Sequence, residues 1–226
     1  STAVAASMAR RGIPRSRLRV VRNGVIGSPR HRPLSSYRPA NLQRPAIVTV
    51  AGMYTRKGVG DLIEAFTGVA AQVPGAHLYL VGDGPDRSLF EAAARRSPVV
   101  ERIHFEGFQR SPYPYLLTAD VFVLASHQDA FPLAVIEARE AGCAIIASDV
   151  DGIPEALDDG AAGLLVPPKD PAALRAILIR LLRDQDELER WRQRAQTDLD
   201  KFSVQRVAET VDGVYQELLS AKQGWR

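Results

Sequence analysis

Two acidic side chains with a proline between them occupy the segment SHQDAFPLAVIEA, residues 126–138. Asp129 and Glu137 lie eight positions apart in an otherwise apolar run, and Pro132 is typical of a helix start. Because N–H groups at a helix start bind anions, we expect one carboxylate at each edge of an anion, where it could accept hydrogen bonds from vicinal hydroxyl groups. A simpler interpretation stays open: Asp129 only caps the helix, and Glu137 only pairs with a surface arginine such as Arg139.

Two adjacent cations precede a glycine in MYTRKG, residues 53–58. Lys57 could bind a diphosphate through its compact ammonium group, and Arg56 could bind it through its planar, bidentate guanidinium. The alternative is that both side chains lie in a solvated charged loop. The segment VGDGPD, residues 81–86, resembles a phosphate turn but lacks the full G-x-G-x-x-G spacing, so a tight turn is the simpler interpretation. A ligand with a central diphosphate and a sugar at each end would satisfy both cations and both acids, and nucleotide sugars have that shape.

Short β-branched runs alternate with helical patterns from residue 46 onward, which predicts parallel strands joined by right-handed helical crossovers. The fold class is therefore α/β, a Rossmann-like doubly wound parallel sheet with a helical carboxy-terminal segment. Asp170 before Pro171, and Ser203, are predicted helix caps. Ligands of such sheets bind beyond the carboxyl ends of the strands. The predicted strands are AIVTVA, HLYLVG, RIHF, VFVLAS and AIIAS.

The first 45 residues differ in charge and texture from the rest. They hold ten arginines and no acid. Residues 46–226 therefore carry the other 19 basic side chains and all 26 acidic ones. We predict a helix in AVAASMARRG, a short strand in RLRVV, and a linker over the proline-rich residues 26–45. Basic and aromatic residues do not interleave here, so nucleic acid is not an expected partner. The arginines would suit an anionic membrane surface.

Several other classes of protein lose support from the composition. The single cysteine, Cys143, lies in an apolar run and is expected to be buried, which argues against redox chemistry. The four histidines lack metal-ligand spacing, so a zinc site is not expected. The segment VGDGPD lacks the spacing of a nicotinamide site, so no cofactor is predicted. No apolar run approaches the length of a membrane span. We expect a cytoplasmic location, and this expectation includes a peripheral association with the inner face of the membrane.

The motifs in their order along the chain resemble one known family. NGV, GxxxxKGVxxLIEAF, LVGDGP, GF, ADVFVLAS, DAFPLAVIEA and DGIPEALDDGAAGLLVPPKDPAAL together are similar to the carboxy-terminal, donor-binding domain of retaining GT-B glycosyltransferases of the family-four, or group 1, type. The resemblance covers about residues 17–220. It implies a hexosyltransferase-type enzyme that takes a UDP- or GDP-linked sugar in glycan, lipopolysaccharide or glycolipid synthesis, without an obligatory metal.

The resemblance also implies roles for individual residues. Lys57 matches the lysine that neutralises the diphosphate, Asp129 the acid that contacts the transferred sugar, and Glu137 the acid that binds the ribose hydroxyls. The loop 107–109 matches the base-contacting loop, and residues 130–133 match a turn whose amides meet sugar and phosphate. The expected donor-binding residues are Gly52, Arg56, Gly82, Gly107, Phe108, Gln109, Ser126, Ala130, Phe131, Pro132 and Leu133.

Three features depart from the family pattern. Position 129 is aspartate where glutamate is usual, and Gly52 stands where an arginine is usual. The chain is also short for two Rossmann-like domains. We interpret residues 1–25 as the tail of a missing amino-terminal acceptor domain, 26–45 as a linker and 46–226 as the donor-binding domain, so the chain is expected to bind a donor without transferring its sugar. The alternatives are a nucleotide-sugar 2-epimerase of the same architecture, or a non-catalytic nucleotide-binding or scaffold module.

Overall fold

A six-stranded sheet, entirely parallel, forms the centre of the molecule in a computed structural model that describes residues 1–25 and 36–223. The strands lie in the order β3-β2-β1-β4-β5-β6, so the order of connection reverses between β1 and β4. The predicted Rossmann-like fold class is therefore confirmed. The strands are β1 (Ala46–Val50), β2 (His77–Val81), β3 (Ile103–Gly107), β4 (Val121–Leu124), β5 (Ala144–Ser148) and β6 (Leu164–Val166).

Helices cover both faces of this sheet, as crossover connections require. Helices α2, α3 and α7 enclose one apolar core, and α4, α5 and α6 enclose the other. The helices are α1 (Thr2–Arg10), α2 (Val59–Gln72), α3 (Arg87–Arg95), α4 (Tyr113–Leu116), α5 (Leu133–Ala141), α6 (Ile153–Ala156), α7 (Pro171–Arg183), α8 (Gln185–Ala195) and α9 (Val204–Gln223). No helix within the described ranges is long and apolar enough to cross a membrane.

The predicted caps form as expected in the helical carboxy-terminal segment. The Asp170 carboxylate accepts a hydrogen bond from the Ala173 N–H at 2.9 Å, at the start of α7. The Ser203 hydroxyl accepts one from the Arg206 N–H at 3.3 Å, at the start of α9. Each cap satisfies an N–H group that the first turn of a helix leaves without a partner.

The predicted strand RLRVV is wrong. Residues 15–17 form a 3-10 turn, and the backbone of residues 18–24 runs without a ladder partner in the described chain. Only Val25 pairs, through an isolated bridge to Ser203. A strand needs a neighbour that shares its hydrogen bonds, and β-branched residues alone do not supply one.

The predicted linker is described only in part, since residues 26–35 lie outside the described residues. The remainder, residues 36–45, contacts α4 and the residue before β4 on its way into β1. The Arg44 guanidinium binds the Asp120 carboxylate, and that carboxylate also accepts a hydrogen bond from the Ala46 N–H at 2.8 Å. The chain therefore enters β1 from a fixed position.

Candidate functional site

A cavity of about 440 Å³ opens at the carboxyl edge of the sheet, beside β1 and β4, between which the order of connection reverses. This is the place at which doubly wound sheets bind ligands. Nine of the predicted site residues line it, and all of them lie in loops after strands or at the start of α5. They are Gly52, Lys57, Gly82, Phe108, Gln109, Asp129, Phe131, Pro132 and Leu133.

Two glycines allow the walls of the cavity to come together. Gly82 has φ +134°, and a Cβ atom there would lie 2.0 Å from the Ala51 carbonyl oxygen. Gly58 has φ +64°, and a Cβ atom there would lie 1.8 Å from the Ala125 carbonyl oxygen. Any larger residue would push the loop that carries Lys57 away from the end of β4.

Lys57 and Asp129 form an ion pair at the cavity wall. The Lys57 Nζ lies 2.5 Å from the Asp129 Oδ2, and the two side chains are only 17% and 10% exposed. Lys57 ends a 3-10 turn, Thr55–Lys57, whose start is fixed by the Asp86 carboxylate through the N–H and hydroxyl of Thr55. The predicted phosphate cation and the predicted sugar-contacting acid are thus in direct contact.

Arg56 points elsewhere than Lys57. Its guanidinium carbon lies 5.3 Å from the centre of the Tyr54 ring, and its side chain lines a second cavity of about 350 Å³. Asp129 lies on both cavities, and the second one also contains Ala130 and Asp151 beside helix α1. The two adjacent cations therefore face different cavities.

The start of α5 faces the first cavity. Pro132 is the N-cap, the helix begins at Leu133, and Leu133 and Ala134 both line the cavity. A proline side chain has no oxygen with which to cap a helix, so the first N–H groups are left for a ligand. The interpretation of Asp129 as the helix cap is wrong, because its carboxylate is held by Lys57.

Glu137 lies on α5, four residues after its start, and is partly buried. Burial raises the pKa of its carboxyl group to about 6, and repulsion from Glu140 adds to the rise. It lies outside the lining of the first cavity. The proposed pairing with Arg139 is wrong: Arg139 is fully buried and donates to Asp158 and to the carbonyl oxygen of Ala156.

Phe108 and Gln109 line the first cavity, whereas Gly107 and Ser126 lie outside its lining. Phe108 is 77% exposed at the cavity rim, and the Gln109 amide donates to the Glu106 carbonyl oxygen at 2.8 Å. Gly107 precedes them with φ +66° and accepts a hydrogen bond from the Gly82 N–H. Ser126 is fully buried, and its hydroxyl has no hydrogen-bond partner among the described residues.

Three residues of this region were missed by the sequence reasoning. Asp83 lines the first cavity from the turn after β2, a position that the rule on strand ends could have indicated. The Asp61 carboxylate accepts a hydrogen bond from His127 Nε2 at 2.7 Å and so ties the loop after β4 to α2. Asp151 contacts the backbone of Asp129, which no pattern in the sequence indicates.

The fold and the cavity together define a Rossmann-like α/β domain whose switch point holds a largely apolar cavity with a few polar side chains, among them Lys57 and Asp129. The chain belongs to the family of glycosyl transferases group 1, whose model matches residues 44–184. It is 31% identical to the glycogen synthase of Mycobacterium tuberculosis (strain ATCC 25618 / H37Rv), over 92% of this chain and 49% of that protein. It is 28% identical to the lipopolysaccharide core biosynthesis glycosyltransferase LpsE of Rhizobium meliloti (strain 1021), over 79% and 50%.

Solved structures of glycosyltransferases share the fold. Sucrose-phosphate synthase from Thermosynechococcus elongatus matches with a TM-score of 0.82 and 26% identity, over 98% of this chain and 57% of that one. Anabaena HepE in complex with UDP-glucose matches with a TM-score of 0.80 and 21% identity, over 94% and 62%. The chain spans about half the length of the relatives it matches in sequence. The resemblance to the carboxy-terminal half of a GT-B glycosyltransferase is confirmed.

Proposed function

We propose that this chain is the donor-binding half of a retaining glycosyltransferase and that it binds a UDP- or GDP-linked sugar. The observation that carries the proposal is the Lys57–Asp129 ion pair on the wall of the cavity, beside the uncapped start of α5. A cation and free helix N–H groups suit a diphosphate, and a carboxylate next to them suits sugar hydroxyls.

In the proposed reaction, positively polarised groups of the protein lie where the departing diphosphate develops negative charge. The bond between the anomeric carbon and the diphosphate oxygen breaks, and the acceptor hydroxyl forms the new bond on the same face. The proton of that hydroxyl passes to the departing phosphate oxygen. Lys57 and the N–H groups of Leu133 and Ala134 stabilise the growing negative charge. Electrostatic stabilisation of this kind contributes strongly to catalysis, and in this proposal it requires no metal. Asp129 orients the sugar, and Glu137 binds the ribose.

Two relatives support the choice of donor and product class. HepE has been solved with UDP-glucose, and LpsE acts in lipopolysaccharide core synthesis. We therefore place this protein among hexosyltransferases of glycan, lipopolysaccharide or glycolipid synthesis. Because the chain spans half the length of its relatives, we expect transfer to require an acceptor domain, and donor binding to take place without it.

Calorimetric titration of the chain with UDP, GDP, ADP and NAD tests the proposal. We expect one nucleoside diphosphate to bind with a free energy of about −8 to −4 kcal/mol. The Lys57→Ala substitution should weaken it about 10- to 100-fold, because a charged hydrogen bond is lost. The control is Lys169→Ala, an exposed lysine in the loop before α7, which should bind as the parent does. Absence of diphosphate binding, or equal binding by Lys57→Ala, would contradict the proposal.

The amino-terminal segment supports a peripheral association with the cytoplasmic face of a membrane. Four exposed arginines, Arg10, Arg11, Arg15 and Arg17, lie beside Ile13, which is itself 40% exposed. Cations next to an exposed apolar side chain suit an anionic lipid surface. Co-sedimentation with vesicles should show binding to anionic and not to neutral lipids. Equal recovery with both would contradict this location.

A further inference from the structure

The backbone of Asp129 is held from both sides by one turn, residues 149–152. The Asp129 N–H donates to the Asp151 Oδ2 at 3.0 Å, and the Asp129 carbonyl oxygen accepts from the Gly152 N–H at 3.0 Å. A loop residue that makes both of its backbone hydrogen bonds to one turn has little freedom to shift along that turn.

Asp151 makes its contact from a backbone conformation that is unusual for an amino acid with a side chain. Its φ is +51°, in the left-handed region, and the adjacent Gly152 leaves no space for a Cβ atom, which would lie 1.9 Å from the Ala130 carbonyl oxygen. Residues held in such conformations concentrate at functional sites. The turn is therefore packed directly against the backbone of residues 129–130.

The side chain of Asp129 occupies the border between two cavities. Its carboxylate meets Lys57 on the first cavity, and it lines the second together with Asp151. An aspartate is short, so its carboxylate can move little unless the backbone moves with it. The contact from Asp151 therefore controls where this carboxylate can lie.

We propose that Asp151 is a positioning residue for Asp129: through the Asp129 N–H it fixes the carboxylate that orients the transferred sugar. This inference rests on the proposed function. The diphosphate and the base bind Lys57 and the other side of the first cavity, so Asp151 affects the sugar end of the donor and leaves the nucleotide end unchanged.

The test compares two affinities in the same chain: that for a nucleoside diphosphate and that for its sugar derivative, with UDP against UDP-glucose and GDP against GDP-mannose. The Asp129→Ala variant measures how far this ratio changes when the carboxylate is absent. We expect Asp151→Gly to change the ratio in the same direction, at least threefold, with nucleoside diphosphate affinity within twofold of the parent. Asp151→Asn keeps an acceptor oxygen and should restore the ratio.

Stability separates positioning from a general structural role. Asp151→Gly relieves the left-handed conformation, so its melting temperature should be equal to or above that of the parent, while its affinity ratio changes. Amide hydrogen exchange at Asp129 should become faster, which reports the lost contact without any ligand. Asp159→Gly is the matched control, because Asp159 has φ +53° and lines neither cavity. It should change neither the ratio nor the exchange at Asp129.

The outcomes distinguish this inference from the proposed function. Diphosphate binding together with an unchanged ratio in Asp151→Gly, or in Asp129→Ala, would overturn the positioning role and leave donor binding in place. Absence of binding to every nucleotide tested would overturn the proposed function and the positioning role with it.

Discussion

Glu137 keeps an ionisable carboxyl group in a partly buried position on α5, and burial raises its pKa to about 6. Its carboxylate has no hydrogen bond or ion pair within the described chain. A carboxyl group whose folded pKa lies above its unfolded pKa favours the protonated form, so its ionisation costs stability as pH rises. Such a cost at neutral pH is typical of a residue kept for ligand binding.

Replacing Glu137 by glutamine should therefore stabilise the chain at pH 7.5. The shift from 4.5 to about 6 corresponds to a gain of about 2 kcal/mol in the free energy of unfolding. The cost of the ionised group is fully present above pH 6 and absent below pH 4.5, so the gain should disappear in acid. Urea denaturation at both pH values measures it.

The control for this prediction is Glu64→Gln, since Glu64 is an exposed acid on α2. Its free energy of unfolding should change little at either pH. If Glu137→Gln were less stable than the parent at pH 7.5, Glu137 would be a structural acid, and its assignment to the ribose would lose its physical support.

At the scale of elements, α5 is held in place through the buried guanidinium of Arg139. Its Nε donates to the Ala195 carbonyl oxygen at 2.9 Å, and its Nη2 donates to the Thr197 carbonyl oxygen and to Asp158 at 2.8 Å. These partners belong to the end of α8 and to the turn after α6. Since α5 also presents the first N–H groups of its amino-terminal turn to the site, Arg139 connects the core to the site.

Arg139→Met should lower the free energy of unfolding by about 3–5 kcal/mol, because it fills a similar volume but removes the ion pair with Asp158 and leaves the carbonyl oxygens of buried Ala156 and Ala195 without this donor. Thermal and urea denaturation measure the loss. The matched control is Arg190→Met on α8, where the arginine is exposed and the change should stay within about 0.5 kcal/mol. A loss of similar size in both variants would show that any arginine-to-methionine change harms this fold.

Five of the six strands could be predicted, because long β-branched runs between turn residues fit only a buried parallel strand. Strand β6, Leu164–Val166, was missed since three residues between glycine and proline give no periodic signal. The segment RLRVV shows the opposite error: it has strand-forming residues but no neighbour among the described strands. Local composition therefore predicts an element only when the topology also supplies its partner.

The sequence could predict which loops meet at the site, because the carboxyl ends of parallel strands share one edge of the sheet. Direct contacts were not, because they join residues far apart in the chain. Lys57 and Asp129 are separated by 72 positions, and the contact between Asp129 and Asp151 depends on how two loops pack. Arg139 was expected at the surface because spacing along a helix does not show what lies opposite it.

At the scale of the whole molecule, residues 19–25 contact α6, the residue before α9 and α9 itself. Val25 bridges to Ser203, Arg19 forms an ion pair with Glu217 on α9, and Arg22 does so with Glu155 on α6 at 2.7 Å. Exposed ion pairs contribute little, so close packing must hold the two ends of the chain together.

Gly24 is where this packing is closest. A Cβ atom at Gly24 would lie 2.8 Å from the Val207 Cγ2 and 3.2 Å from the Phe202 carbonyl oxygen, so Gly24→Val should detach the segment from α9. Trypsin should then cleave the arginines of residues 10–22 about tenfold faster, while the melting temperature of the sheet domain changes by only about 2 °C.

The matched control is Gly213→Ala on α9, where an added Cβ atom meets nothing within 4 Å. It should stabilise the helix by about 0.5–1 kcal/mol and leave the cleavage rate unchanged. Equal cleavage of the parent and Gly24→Val would mean that the amino-terminal segment opens freely in the parent as well. In that case α1 would not form a fixed wall of the second cavity, and the surface beside Asp151 would be open to solvent on that side.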